Sequence, residues 1–380
     1  MKAGTWSTAW LVLASAATAH GEQPETKVTV GAYVETYYQL NFRTPSNGIT
    51  NLRGFDNRER TFTIENAAID VKGERGGLTG RVVLQIGATP STYYLAEPAL
   101  PGTVGVNATG PELWKYLQQA TFGYTTANKI VVEGGLFPSP IGPEVIPIKD
   151  NWNWSRSNLF LGLPFYHTGA RVAVPLGGGW VGTLHAYAGW NSVVDNNDYP
   201  MVGASAFYTG DKISVQLMYC GGIERPTGAP EGKPWRNLFD AYATLQVTDE
   251  LSILGQVDAG FEPNNFGTSG WLAGALYAKY EVTPALYVAG RGDYFRERVA
   301  GEGAMNAGPL FWPSKWIASG TGTFAYQPLT GLSVRLEYRH DQAQDDSFFG
   351  GGVEGDGVTV PFVPNRKAQD TLTLGAAASF

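Results

Sequence analysis

Apolar and polar residues alternate with period two along most of this chain. From Val28 the even positions are Val28, Val30, Ala32, Val34, Tyr38, Leu40 and Phe42, while the odd ones are Lys27, Thr29, Gly31, Tyr33, Glu35, Tyr37, Gln39 and Asn41. Successive side chains of a strand point to opposite faces, so this segment has one greasy face and one wet one. Near the other end, Leu332, Val334, Leu336 and Tyr338 alternate with Ser333, Arg335, Glu337, Arg339 and Asp341. The last segment sets Leu372, Leu374, Ala376, Ala378 and Phe380 against Gln369, Thr371, Thr373, Gly375 and Ser379. Counting every such run predicts about sixteen strands, the first near 27–42 and the last near 368–380. In 62–71 the apolar parity changes between Ile64 and Ala67, which a bulge near Asn66 accommodates.

The connections sort by length. Glu74-Arg75-Gly76, Thr126-Ala127-Asn128, Leu176-Gly177-Gly178, Thr209-Gly210-Asp211, Thr248-Asp249, Thr283-Pro284 and Leu329-Thr330 have tight-turn chemistry. Longer segments lie between them at 43–58, 89–112, 139–164, 192–198, 222–234, 262–269, 298–313 and 344–367, so short and long alternate. Bacterial outer-membrane barrels have this alternation, with short turns at one end, long loops at the other and an even strand number. A closed sheet also leaves no unpaired edge in hydrocarbon. The fold expected is all-β, a transmembrane antiparallel up-and-down β-barrel. The apolar faces carry Gly and Ala and are edged by Tyr and Trp, as a lipid-facing band with aromatic girdles would be; a soluble sandwich would put large core residues there.

Composition agrees: 49 Gly, 19 Tyr, 18 Phe and 11 Trp accompany one Cys and 16% charged residues in 380. Residues 1–19 carry Lys2, an apolar run and Ala17-Thr18-Ala19, and read as a secretory signal peptide, leaving 20–380 as a single barrel domain. Its removal takes Lys2 and no acid, moving the formal charge from −7 to −8, which argues against a nucleic-acid partner. Cys220 alone excludes an internal disulfide. His20, His167, His185 and His340 show no metal-ligand spacing, and no phosphate-cradling or nucleophile-elbow motif occurs, so no catalytic, cofactor or metal residues are expected.

Segment 137–169 contains Ser139-Pro140-Ile141-Gly142, the run Asn151-Trp152-Asn153-Trp154-Ser155-Arg156-Ser157, and Pro164-Phe165-Tyr166-His167-Thr168-Gly169. It resembles the corresponding stretch of the OmpL-like β-barrel porins of Gram-negative bacteria. The resemblance implies an outer-membrane channel, embedded in lipid and passing small hydrophilic solutes and ions by diffusion. It also implies that Phe380 ends a signal read by the barrel-assembly machinery, and homotrimers are the habit of sixteen-stranded porins.

Segment 139–164 is the third long connection, which in such porins folds inward and narrows the pore. Pro138, Pro140, Pro143 and Pro147 stiffen it. If it enters the lumen, Glu144, Lys149, Asp150 and Arg156 are the charges nearest the constriction; if it covers the mouth, they are solvated surface charges. Inward parity puts Arg81, Arg171, Lys212, Lys279, Arg291, Arg335 and Arg339 in the lumen with Glu35, Glu133, Asp240, Asp258, Asp293, Glu337 and Asp341. This balance argues against a dedicated anion channel. Two other readings stand beside the diffusion channel: a solute-specific channel with Tyr33, Tyr37, Tyr187, Tyr242 and Tyr277 as a track, and a structural or adhesive barrel with a plugged lumen.

Overall fold

A computed structural model describes residues 24–94, 114–195, 197, 199–303 and 305–380. The proposed signal segment 1–19 and most of connection 89–112 lie outside them. The strands are β1 (Thr26–Asn41), β2 (Phe62–Arg75), β3 (Leu78–Ile86), β4 (Leu117–Thr125), β5 (Val131–Pro138), β6 (Tyr166–Gly177), β7 (Trp180–Tyr187), β8 (Met201–Thr209) and β9 (Ile213–Ile223). They continue as β10 (Trp235–Gln246), β11 (Leu251–Asn264), β12 (Gly267–Thr283), β13 (Leu286–Arg298), β14 (Gly301–Glu302), β15 (Met305–Asn306), β16 (Trp316–Leu329), β17 (Leu332–Ala343) and β18 (Ala368–Ser379). All but β14 and β15 form one closed antiparallel barrel of sixteen strands, each paired with its neighbours in the chain. The seam joins β1 to β18, with Tyr33 opposite Ser379 and Asn41 opposite Thr371. β14 and β15 make a separate ribbon in a long connection.

The barrel is inside-out relative to a water-soluble protein. Outward Val30, Leu184 and Leu276 are 65%, 68% and 62% exposed, whereas inward Glu35, Arg335, Glu337, Arg339 and Asp341 are all buried. Such a band is stable only against hydrocarbon. The parity change in β2 is a bulge: Glu35 pairs with Asn66 and Thr36 with Ile64, so Glu65 is the extra residue. Both Glu65 and Asn66 turn inward and are fully buried.

One connection departs from the sequence reading. Segment 262–269 is no long loop, because β11 and β12 stay paired out to Asn264 opposite Gly267. The pairing persists because Glu262 faces inward and is held by Arg225 and Arg236, each at 2.7 Å. Elsewhere short and long connections alternate as the pattern predicts. The second long connection carries a short helix, α1 (Ala88–Tyr93).

Candidate functional site: the lumen and segment 139–164

The inward parity of the strands supplies buried charges, and segment 139–164 uses them. A loop inside a barrel must find partners for its backbone, since unpaired amides and carbonyls are costly there. On one side the Gly142 N–H donates to Asp240 at 3.2 Å and Gln216 donates to the Pro140 carbonyl at 2.7 Å. The single helical turn Ile148–Asp150 then docks on β1, with the Ile148 N–H donating to Glu35 at 2.5 Å. Two strands along the wall, on β17, the Trp154 and Ser155 N–H groups donate to Glu337 at 2.5 and 2.8 Å. Arg335 returns hydrogen bonds to the carbonyls of Asn151 and Asn153, at 2.9 and 3.1 Å. The segment therefore bridges wall positions far apart around the barrel.

Two arginines anchor its middle. Arg156, which leaves the loop, reaches Glu65 at 3.1 Å, and the Trp154 indole N–H donates to the same carboxylate at 2.9 Å. Arg291, which comes from the wall, meets Glu144 at 3.2 Å and Asp293 at 3.1 Å, and donates to the carbonyls of Ser155 and Arg156. Asn158 opens a short helix, Asn158–Leu161, capped by Ser157, and its N–H and side-chain amide both reach Asp293. Arg339 holds Asp341 at 2.6 Å and also donates to the Arg156 carbonyl.

Apolar packing completes the seating. Ile141, Leu159 and Leu163 join Phe137, Tyr277, Phe295 and Met218 in one cluster. Phe160 and Ile146 join Phe55, Tyr93, Tyr94 and Tyr166 in another. Trp154 is fully buried against Gly375, where a Cβ would fall 2.3 to 2.5 Å from three ring atoms. Glycine on the terminal strand is thus what lets the indole lie flat on the wall. Gly162 plays the same part beneath Phe295, with 2.4 Å available to a Cβ.

Solvent reaches the lumen from the short-turn end. There the ion pairs Arg81–Asp70 at 2.7 Å and Lys279–Glu281 at 2.9 Å stay accessible, and Arg171 holds Glu133 at 2.6 Å. Of the four residues expected at a constriction, Glu144 and Arg156 are packed inside the seated segment. Lys149 and Asp150 pair with each other at 2.8 Å and line a cavity of about 380 Å³ near Ser333 and Thr330. Asp240 and Asp258 lie opposite each other on β10 and β11, bridged by the Gln256 amide at 2.9 and 3.2 Å.

Tyr33, Tyr37, Tyr187 and Tyr277 are buried in the wall, and Tyr242 is half-buried. The Tyr33 hydroxyl accepts from Asn66 and Gln118, Tyr37 accepts from the Arg58 N–H, and Tyr187 stacks on His167 at 4.2 Å. His167 and His185 are hydrogen-bonded wall residues. Among the described residues no group of three His, Cys, Asp or Glu is placed to hold a metal.

Sequence reading missed Glu65, because a regular alternation skips the extra residue of a bulge. It also missed Arg53 and Asp56, which the first long connection carries inside: they pair at 3.1 Å, and Arg53 reaches Asp341 at 3.6 Å. A further network ties the long loops together, with the Trp190 N–H donating to Glu224 at 2.8 Å and Arg236 lying over the Trp190 ring at 5.3 Å.

Burial raises the Glu224 carboxyl from 4.5 to about 7, against the opposing pull of Arg236 and the Trp190 N–H. The folded state then holds a proton that the unfolded chain releases. Loop stability from this group is full below about 4.5 and is lost as pH rises through about 7. Protection of the Trp190 amide against hydrogen exchange, taken relative to the intrinsic base-catalysed rate, should accordingly fall as pH rises through about 7 in the wild type. Glu224→Gln should flatten that profile; an unchanged slope in the variant would assign the effect elsewhere.

The sequence profile described as "Putative beta-barrel porin-2, OmpL-like" matches residues 27–380. No curated protein sequence matches the chain. Among solved structures, the anion-selective porin from Comamonas acidovorans aligns with a TM-score of 0.62 at 12% identity, covering 94% of this chain and 100% of that one. OmpT of Vibrio cholerae aligns at 0.55 and 11%, covering 93% and 98%. Its trimer form aligns at 0.57 and 9%, covering 93% and 99%. These likenesses are of fold, and the profile match gives the family: the chain belongs to the OmpL-like β-barrel porins, non-enzymatic outer-membrane channels.

Proposed function

We propose that the protein is a narrow passive diffusion channel for small hydrophilic solutes and ions, with segment 139–164 setting its throughput. The observation that carries this reading is the seating of the segment across the lumen, between an apolar packed half and an accessible half with balanced ion pairs. Glu144 and Arg156 act as the loop's own anchors, and Lys149 and Asp150 are the charges that a permeating ion meets. Glu35, Asp240, Asp258, Arg291, Asp293, Arg335, Glu337 and Arg339 hold the loop or brace the wall, while Arg81, Glu133 and Arg171 face the accessible side.

Residues 1–19 direct export, both termini lie in the periplasm, and the long loops face the cell surface. Phe380 serves the assembly machinery: its side chain is exposed while its N–H donates to the Ala32 carbonyl at 2.9 Å, leaving the ring free to be read. The trimer form of the Vibrio cholerae protein supports a homotrimer. Planar-bilayer recording of the purified protein tests the channel. Small conductance steps and a reversal potential showing weak cation preference are expected, from the formal charge of −8 after loss of Lys2. An anion-selective reversal potential contradicts the preference.

The plugged structural barrel is the second reading, supported by the two apolar clusters. Conductance that is absent from the wild type and from every loop-releasing variant favours it.

A further inference from the structure

The outer wall carries cations that nothing among the described residues neutralises. On β13 the side chains alternate, with Phe295 and Glu297 buried and Tyr294, Arg296 and Arg298 exposed, so both guanidiniums point away from the lumen at the long-loop end. In the sheet Arg296 lies opposite Leu272 and Trp316, and Arg298 opposite Gly270. Neither arginine makes an ion pair or a side-chain hydrogen bond among the described residues, and the same is true of nearby exposed Lys315. The contrast three strands along the rim, on β18, is direct. There Arg43, His340 and Tyr338 all converge on Asp370, at 3.6, 2.8 and 2.8 Å.

Two hollows flank the arginines. A cavity of about 850 Å³ is lined by Tyr294, Arg296, Arg298, Lys315 and Trp316, with Tyr294 stacked on Trp316 at 6.1 Å. Its carboxylates are Glu297, turned inward onto the amides of Phe311 and Trp312; Asp345, which accepts from Ser314; and Glu302 on the ribbon. A second groove of about 360 Å³ has Phe261 and Leu272 beneath the same two arginines and no carboxylate in its lining. Cations on a lipid-facing wall are tolerated only near headgroup level, and a guanidinium there pairs in bidentate fashion with phosphate. Apolar surface below and cations above fit an amphiphile rather than a soluble anion.

We propose that Arg296, Arg298 and Lys315 form an outer-wall site for the phosphorylated headgroup of an outer-leaflet glycolipid, whose acyl chains lie along Phe261, Leu272 and Tyr294. The site rests on the long loops facing the cell surface, but its test in micelles does not depend on orientation or on conduction. Native mass spectrometry of the full-length barrel in detergent would use bis-phosphorylated lipid A, its dephosphorylated form and inorganic phosphate as probes. The wild type should retain lipid A, and Arg296→Ala with Arg298→Ala should weaken retention by roughly tenfold or more. Arg296→Lys with Arg298→Lys should recover part of it, and all variants should keep the heat-modifiable mobility of a folded barrel. Equal retention of the dephosphorylated lipid, equal retention by the double alanine variant, or full displacement by inorganic phosphate would each overturn the proposal.

Discussion

Arg291→Ala should release segment 139–164 and raise single-channel conductance more than any other single wall substitution. Arg291 is fully buried and joins Glu144 of the loop to Asp293 of the wall, while donating to two loop carbonyls. Removing it leaves two buried carboxylates without their cation, a loss of about 3–5 kcal/mol for a buried pair. That is enough to shift the seated-to-released ratio by roughly a hundredfold or more. The barrel itself should stay closed, because its sixteen strands are held by their own ladder. Bilayer recordings should show larger, noisier openings, and protease should nick the segment between Glu144 and Arg156. Unchanged conductance with unchanged protection would mean that the loop's seating does not limit flow. Arg291→Lys should fall between, since a lysine keeps the charge but loses the fork that serves several acceptors.

The second large effect should come from the smallest wall residue under the loop. Gly375 has no unusual backbone requirement, so valine suits the strand, yet its Cβ alone would overlap the Trp154 ring at 2.3 to 2.5 Å. Gly375→Val should therefore unseat Trp154 at a cost of about 1–3 kcal/mol while leaving the wall intact. Loss of the indole also breaks its hydrogen bond to Glu65, leaving Arg156 as that carboxylate's partner. Combining Gly375→Val with Trp154→Ala should give a conductance close to that of Trp154→Ala alone, because both changes act at one contact. Additive effects on conductance would place the valine's action elsewhere.

Much of this architecture was legible in the sequence because strand geometry is strict. Alternation in β17 is enough to send Arg335, Glu337, Arg339 and Asp341 inward, and they are inward. The limits are equally physical. A bulge breaks the parity at Glu65, so the carboxylate that receives both Trp154 and Arg156 was invisible to a period-two reading. Arg53 donates to Thr371 across 318 residues of chain, a contact that no local pattern encodes. Parity shows which face a charge occupies and not its partner, so the use of Glu337 and Arg335 as acceptor and donor for loop backbone emerged only from the three-dimensional structure. The in-and-out alternation of β11 and β12 continues through Glu262 and Ser269, but Pro263, Asn264, Asn265 and Gly267 have turn chemistry, which is why 262–269 read as a loop.

The grip of Glu337 on Trp154 joins residues 183 positions apart, on elements from opposite halves of the chain. Segment 139–164 precedes β6 in the chain, whereas β17 and β18 are its last two strands. Its docking sites on Glu337, Arg335 and Gly375 therefore come into being only as the seam between β1 and β18 is made. The segment is held from β1 and β2 by Glu35 and Glu65 and from β17 and β18 by Glu337 and Gly375, so its seating requires a closed seam.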